Sequence, residues 1–441
     1  MRDPHNTTTP AEGHDPAGHG FMLVFCSFGL NGLLYGSLLS RYAEIADAVR
    51  ADEAVFGLVL AAGAVGGLVG SLVAPLLVRT VGDAGAAAVF GCTFALLACS
   101  VAGAPTLVVL AIALFVMTVV DGGQDVAMNA LAVRVQQRTG RPIMGRAHAA
   151  WSVSLAAGTG VGAAAASLQV PVLGHIAAVA AVLVAAQLGA WWTYSPRTEP
   201  VSRAESHSPS NEDDQAAGRW LTRGRARVLI VMLAAAAVAA SYVESPGQEW
   251  TALLLSRGFD TSAGLAASAP LAFSIGLVAS RLVLDRLTDR LGRSLIAMIS
   301  GGTTTAAMVA GLLVGVLDGP VWLVLAALAL AGIGAGPVFP LLFGAADILS
   351  SRYGVRPDTT ASVVSACSRT GAISAPVIVG ALTGATSLLA VLVVMAAGGL
   401  AIMLMLPHTL RNHHDRSPSP SGEEPPGVDP QRRTSNARTR S

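Results

Sequence analysis

The chain has 441 residues, 53% of them hydrophobic and only 12% charged, with a formal net charge of +1. Soluble globular chains carry about 25% charged residues, so this one lacks the polar material to cover a water-facing surface of its size. With a mean hydropathy of +0.59, the shortage excludes an ordinary soluble enzyme and points to lipid as the main solvent.

Residues 1–19 are polar and read as an N-terminal cytoplasmic tail, without the basic leader and cleavage site of a secretory signal. Apolar runs follow at about 20–40, 54–78, 86–103, 107–130, 147–168 and 173–193. A stretch rich in Ser, Pro and acids over 194–227 reads as a cytoplasmic linker. Six more runs lie at about 228–248, 263–284, 294–316, 321–346, 361–383 and 388–406. Residues 408–441 are rich in Pro and Arg and are expected to be a disordered cytoplasmic tail. Twelve runs of about 20 residues each fit the length. They predict an all-α membrane protein of twelve transmembrane helices, with six-helix halves over 20–193 and 228–407.

All 28 basic residues are arginine. Without lysine there is no Lys-Ser/Thr phosphate loop and no Schiff-base chemistry. Any uphill work must then draw on an ion gradient or another chain. A net charge near zero gives no footprint for nucleic acid. Loops 79–85, 131–146, 194–227, 286–293 and 347–360 hold sixteen arginines, against Arg41, Arg50 and Arg257 in the alternate loops. The positive-inside rule then places both termini in the cytoplasm. The turns Gly103-Ala104-Pro105 and Asp318-Gly319-Pro320 occupy equivalent places in the two halves, 215 residues apart. Parallel six-helix repeats of this kind mark a transporter architecture.

A charged side chain at the bilayer centre costs about 2.5–3.5 kcal/mol on insertion scales, so each one is a candidate functional group. Asp121, Asp125 and Asn129 follow at four-residue spacing on the fourth run, one helical stripe that must face the bundle interior or a wet cavity. Carboxyls in that setting suit reversible proton loading. The alternative is a structural ion pair. The seventh run carries Glu244, Gln248, Glu249 and Trp250, and Pro246-Gly247 predicts a broken helix there. Its alternative is a simple helix end with Trp250 in the aromatic belt. Arg369 in the eleventh run needs Asp125, Glu244 or a solute anion as partner, and a fixed salt bridge stays open. His148 and Ser152 share a face of the fifth run, and Ser27, Asn31 and Tyr35 one of the first. Gly332, Gly334 and Gly336 in the tenth serve close packing or gating.

At these residues the chain resembles the major facilitator superfamily. Within RLVLDRLTDRLGR, Arg281 to Arg293, the run Asp289-Arg290-x-Gly292-Arg293 is similar to the superfamily's cytoplasmic loop motif. That resemblance implies a conformational latch of Asp285, Asp289, Arg290, Gly292 and Arg293. Around Arg79 to Gly82 the first-half copy keeps the glycine without the motif's acid. The segment DGGQDVAMNALAVRVQQRTGRPIMGRAHAAWS, Asp121 to Ser152, resembles the fucose-permease-like branch, as does ESPGQEWT, Glu244 to Thr251. By that resemblance Asp125 takes the position of the proton-coupling acid, with Asn129 beside it, and His148 that of a solute contact.

The expectation is a secondary active transporter of a small polar or anionic solute, working by alternating access in the plasma membrane. Proton coupling falls to Asp125, with Asp121 and Glu244. Solute binding falls to Asn31, Tyr35, Asn129, His148, Ser152, Gln248, Glu249, Trp250 and Arg369. Protons are the coupling ion, no cofactor or metal is expected, and the unit is a monomer in the bilayer. Two alternatives stay open: a proton-antiport exporter of a drug or secondary metabolite, and a membrane sensor that has lost transport.

Overall fold

The computed structural model describes residues 16–194, 224–353 and 357–410. Every regular element in that range is helical. The first half contains α1 (Pro16–Leu39), α2 (Tyr42–Ala48), α3 (Glu53–Ala102), α4 (Leu107–Thr139), α5 (Met144–Ser167) and α6 (Val172–Thr193). The second contains α7 (Gly224–Glu249), the short α8 (Thr251–Leu253) and a π-helical turn (Leu254–Gly258). It continues with α9 (Ala263–Leu291), α10 (Arg293–Val316), α11 (Val321–Ala335), α12 (Val338–Tyr353), α13 (Pro357–Ala385) and α14 (Ala390–Leu410).

Eleven helical stretches are long and apolar enough to cross a membrane, α11 and α12 together making one of them. The 50-residue α3 is two crossings, since at 1.5 Å per residue it measures about 75 Å against a hydrocarbon core of about 30 Å. The predicted loop at 79–85 is therefore a single bend. Gly82, at φ 74° and ψ 163°, is non-helical inside α3. Gly292 makes the same bend between α9 and α10, at φ 81° and ψ 148°. Only glycine adopts that backbone without strain, which explains the conserved place of this residue in both repeats. Twelve crossings result, six in each half, as predicted.

Boundaries move at the ends. Helix α1 begins at Pro16, inside the predicted tail, α7 begins at Gly224, inside the predicted linker, and α14 runs on to Leu410. The rest of the linker and both tails lie outside the described residues. The predicted break at Pro246-Gly247 is absent: α7 runs through Pro246 to Glu249 and changes course only at Trp250. The Trp250 amide still donates to the Pro246 carbonyl at 3.0 Å, so the proline removes one hydrogen bond of its own without ending the helix.

Small residues let helices pack closely, both within each half and between the halves. A Cβ on Gly158 of α5 would fall 2.1 Å from the Leu33 carbonyl oxygen of α1, so these backbones touch directly. Two seams join one half to the other, α3 against α13 and α5 against α9. Both are tight at the end bearing few arginines. There a Cβ on Gly57 would lie 2.3 Å from the Pro376 carbonyl oxygen, and one on Gly264 would lie 2.8 Å from the Ser167 Cα. The glycines of α11 likewise pack: Gly334 meets Ser300 and Thr304, and Gly336 beyond its end meets Leu277 and Ser280.

Candidate functional site

Helix α4 brings its polar stripe to the boundary between halves. Asp121 is half-buried and accepts a 2.6 Å hydrogen bond from Asn31 Nδ2 of α1. The same amide reaches Gln124 Oε1 at 3.3 Å, and the Trp151 indole donates to Asn31 Oδ1 at 2.7 Å. Asn31 is thus the hub of a buried network spanning α1, α4 and α5. Ser27, one turn away on α1, accepts from Gln187 at 3.1 Å. A cavity of about 10 Å³ lined by Asn31, Gln124 and Gln187 approaches the room one water needs. Gln187 Oε1 is buried without a partner.

Asp125, one turn farther along α4, is exposed. Asn129 Nδ2 donates to its carboxylate at 2.9 Å and to its backbone carbonyl at 2.8 Å. His148 of α5 and Arg369 of α13 are the charged or titratable groups acting on it. Both are exposed, and the His148 ring meets Phe28 edge-on at 5.2 Å. Arg369 belongs to the opposite half, so Asp125 lies within electrostatic reach of that half. Among the described residues neither Asp125 nor Arg369 has an ion-pair partner within 4.0 Å. Arg369 Nη1 instead donates to Ser71 Oγ of α3 at 3.2 Å.

Glu244 does not pair with Arg369. Its partner is Arg281 of α9, at 3.7 Å, with Gln248 donating to its other oxygen at 3.4 Å. Arg281 also donates to Ser152 Oγ of the first half at 3.1 Å and to the Gly336 carbonyl at 3.2 Å. Sequence reasoning took Arg281 only as the opening residue of a loop motif. The rule on intramembrane charge, applied to it as to Arg369, singles it out. Ser71 and Arg281 are counterparts, each eleven residues before the bending glycine of its half. Each seam therefore carries one arginine–serine bridge, and both arginines come from the second half.

The remaining candidates cluster at the arginine-poor end. Glu249 accepts from Ser245 at 2.7 Å and acts electrostatically on Tyr35 of the first half. Trp250 is fully buried, its ring 5.9 Å from Phe56, which in turn lies 6.0 Å from Tyr42. This aromatic layer closes one end, whereas Asp125, His148 and Arg369 lie exposed toward the other. The loop residues Asp285, Asp289, Arg290, Gly292 and Arg293 are all exposed, and the charged ones make no ion pair among the described residues. The first-half counterpart is engaged. Asp83, directly after the bending glycine, is buried and pairs with Arg134 of α4 at 2.6 Å. The acid missing before Gly82 is thus found after it. Among the described residues no three His, Cys, Asp or Glu side chains converge as a metal site requires.

Two six-helix repeats around a polar boundary open at one end define a multi-pass membrane transporter. A Major Facilitator Superfamily profile matches residues 21–355 and 253–439. The chain belongs to that superfamily. It is 31% identical over 332 residues to an uncharacterized transporter, y4wD, of Sinorhizobium fredii, covering 74% of this chain and 82% of the other. Crystal structures of nucleoside transporter NupG share the fold at 15% identity. A mutant form superposes with a TM-score of 0.67, covering 90% of this chain and all of that one. Unmutated NupG gives 0.66, covering 89% and 99%.

Proposed function

We propose that this transporter is proton-coupled, carries a small polar or anionic solute across the plasma membrane, and keeps its arginine-rich end and both termini in the cytoplasm. The observation that carries the reading is Asp125 of one half within electrostatic reach of Arg369 of the other, neither of them ion-paired among the described residues. A carboxylate at Asp125 draws the halves together across the cleft, and protonation removes that attraction. A solute anion at Arg369 has the same effect as protonation, since it satisfies the guanidinium. Proton and solute thereby bias one two-state equilibrium, as coupling requires. Asp121, held by Asn31, and Glu244, held by Arg281, support this centre, and His148, Asn129 and Ser152 line the approach. The exposed loop charges from Asp285 to Arg293 are free to latch when the arginine-rich end closes. The acid and asparagine spacing on α4 supports placement near the fucose-permease-like branch.

A thermal-shift screen of carboxylates, sugars and nucleosides identifies the solute by mass-action stabilisation; nucleosides belong in it because NupG transports them. In proteoliposomes with an imposed pH gradient, Asp125→Asn is expected to abolish uphill accumulation of that solute while exchange persists. Full uphill accumulation by this variant overturns the coupling assignment.

A further inference from the structure

Arg257 lies in the π-helical turn that follows α8, at the arginine-poor end of the second half. Its contacts are all in the first half. Nε and Nη2 donate to Asp47 Oδ1 at 2.9 and 2.7 Å, Nη1 donates to Glu53 Oε1 at 2.9 Å, and Nη2 also reaches the Ala51 carbonyl at 3.0 Å. Asp47 closes α2, Glu53 opens α3, and Ala51 lies between, so one guanidinium grips a whole turn.

That turn is built to be gripped. Arg50 takes a left-handed backbone, φ 55°, a strained state for a residue with a side chain. The Ala51 amide folds back onto the Ala46 carbonyl at 3.0 Å, and Asp52 caps α3 by accepting from the Val55 amide at 2.8 Å. Asp52 is thus committed to its own helix, leaving Asp47 and Glu53 for the arginine. Burial works against the Arg257 charge, but the two carboxylates outweigh it and raise its pKa above the ordinary arginine value. The π turn itself is a rare backbone form, frequent at functional sites. On the same elements Tyr42, Phe56 and Trp250 are buried and stack edge-on, Phe56 of the first half against Trp250 of the second.

We infer that Arg257, with Asp47, Glu53 and the Ala51 carbonyl, is the ionic clasp that holds the arginine-poor end shut and must open once per transport cycle. Arg257 is a positioning residue: it touches no solute and sets the balance between conformers. The other two arginines of this end do not share the task. Arg41 is buried within the first half against Glu44 and the Val170 carbonyl, and Arg50 is exposed and joins no ion pair among the described residues. The inference does not depend on which ion or solute is carried.

The test measures conformer populations in the full-length protein in lipid nanodiscs. The native cysteines Cys26, Cys92, Cys99 and Cys367 are replaced by serine, and spin labels are placed at Ala48→Cys and Ser387→Cys, exposed positions on either side of this end. Arg257→Gln is expected to raise the population at the longer distance at least about fivefold. Glu53→Gln added to it should change little further, since both remove the same contact. In the otherwise unmodified labelled protein, raising salt should lengthen the distance in the same direction, because Asp47 is half exposed. An unchanged distribution in a well-folded Arg257→Gln protein overturns the clasp, and so does an equal shift from Arg50→Gln. If Arg257→Gln does not fold, a distance insensitive to salt overturns it.

Discussion

The two halves repeat the same backbone and hold opposite chemistry. Both bend at a positive-φ glycine, Gly82 and Gly292. The first half keeps its boundary acids Asp121 and Asp125 on α4, one of them fastened into the Asn31 network. The second half supplies both seam arginines, Arg281 and Arg369, and only Arg281 has an acid partner. Duplication preserves the hinges, where only glycine serves, and leaves charge free to diverge, so a field develops across the cleft. In the coupling proposed above, this asymmetry is what lets a proton act on one side and an anion on the other.

The largest expected effect tests the frame. Gly158→Ala sets a Cβ against the Leu33 backbone carbonyl and should destabilise by about 3 kcal/mol, the upper range for overpacking. Gly371→Ala in the second half meets the Ser241 Cβ at 2.8 Å and the Val238 carbonyl oxygen at 3.0 Å, a looser approach that a smaller shift relieves, and should cost less than half as much. Thermal unfolding of the two variants side by side checks the difference; equal losses would remove the asymmetry of packing. Next comes the network. Asn31→Leu leaves Asp121 and the Trp151 indole without partners and should lose about 2 kcal/mol, whereas Gln248→Leu forfeits one long bond and should change melting little. The smallest effect on stability is the most telling for function. Arg369→Gln should melt as the parent does and raise the apparent Km about tenfold, as expected for loss of a charged contact. Arg281→Gln should instead destabilise, because the half-buried Glu244 then loses its ion-pair partner. Identical behaviour of the two arginine variants would break the division between solute-facing and structural cations.

The spans, the sixfold repeat and the α4 stripe were legible because hydropathy, arginine bias and helical spacing are local signals. Pairings across long sequence distances were not. Arg257 reads as an ordinary loop arginine, since Asp47 and Glu53 lie about two hundred residues earlier. Arg281 was hidden within a motif whose familiar part starts later. Asp83 escapes the motif because it follows the glycine instead of preceding it. The predicted break at Pro246-Gly247 is absent for a local reason: proline removes one hydrogen bond, and the ladder resumes with the Trp250 amide on the Pro246 carbonyl.

The arginine–serine bridges carry one more implication. Each of the two seam guanidiniums leans on a neutral hydroxyl of the first half, Arg369 on Ser71 and Arg281 on Ser152. A hydroxyl exchanges readily for a water molecule, so sliding past it breaks no ion pair. The two bridges thus turn like oiled bearings, and resistance to rocking falls to the attraction between Asp125 and Arg369 and to the rims.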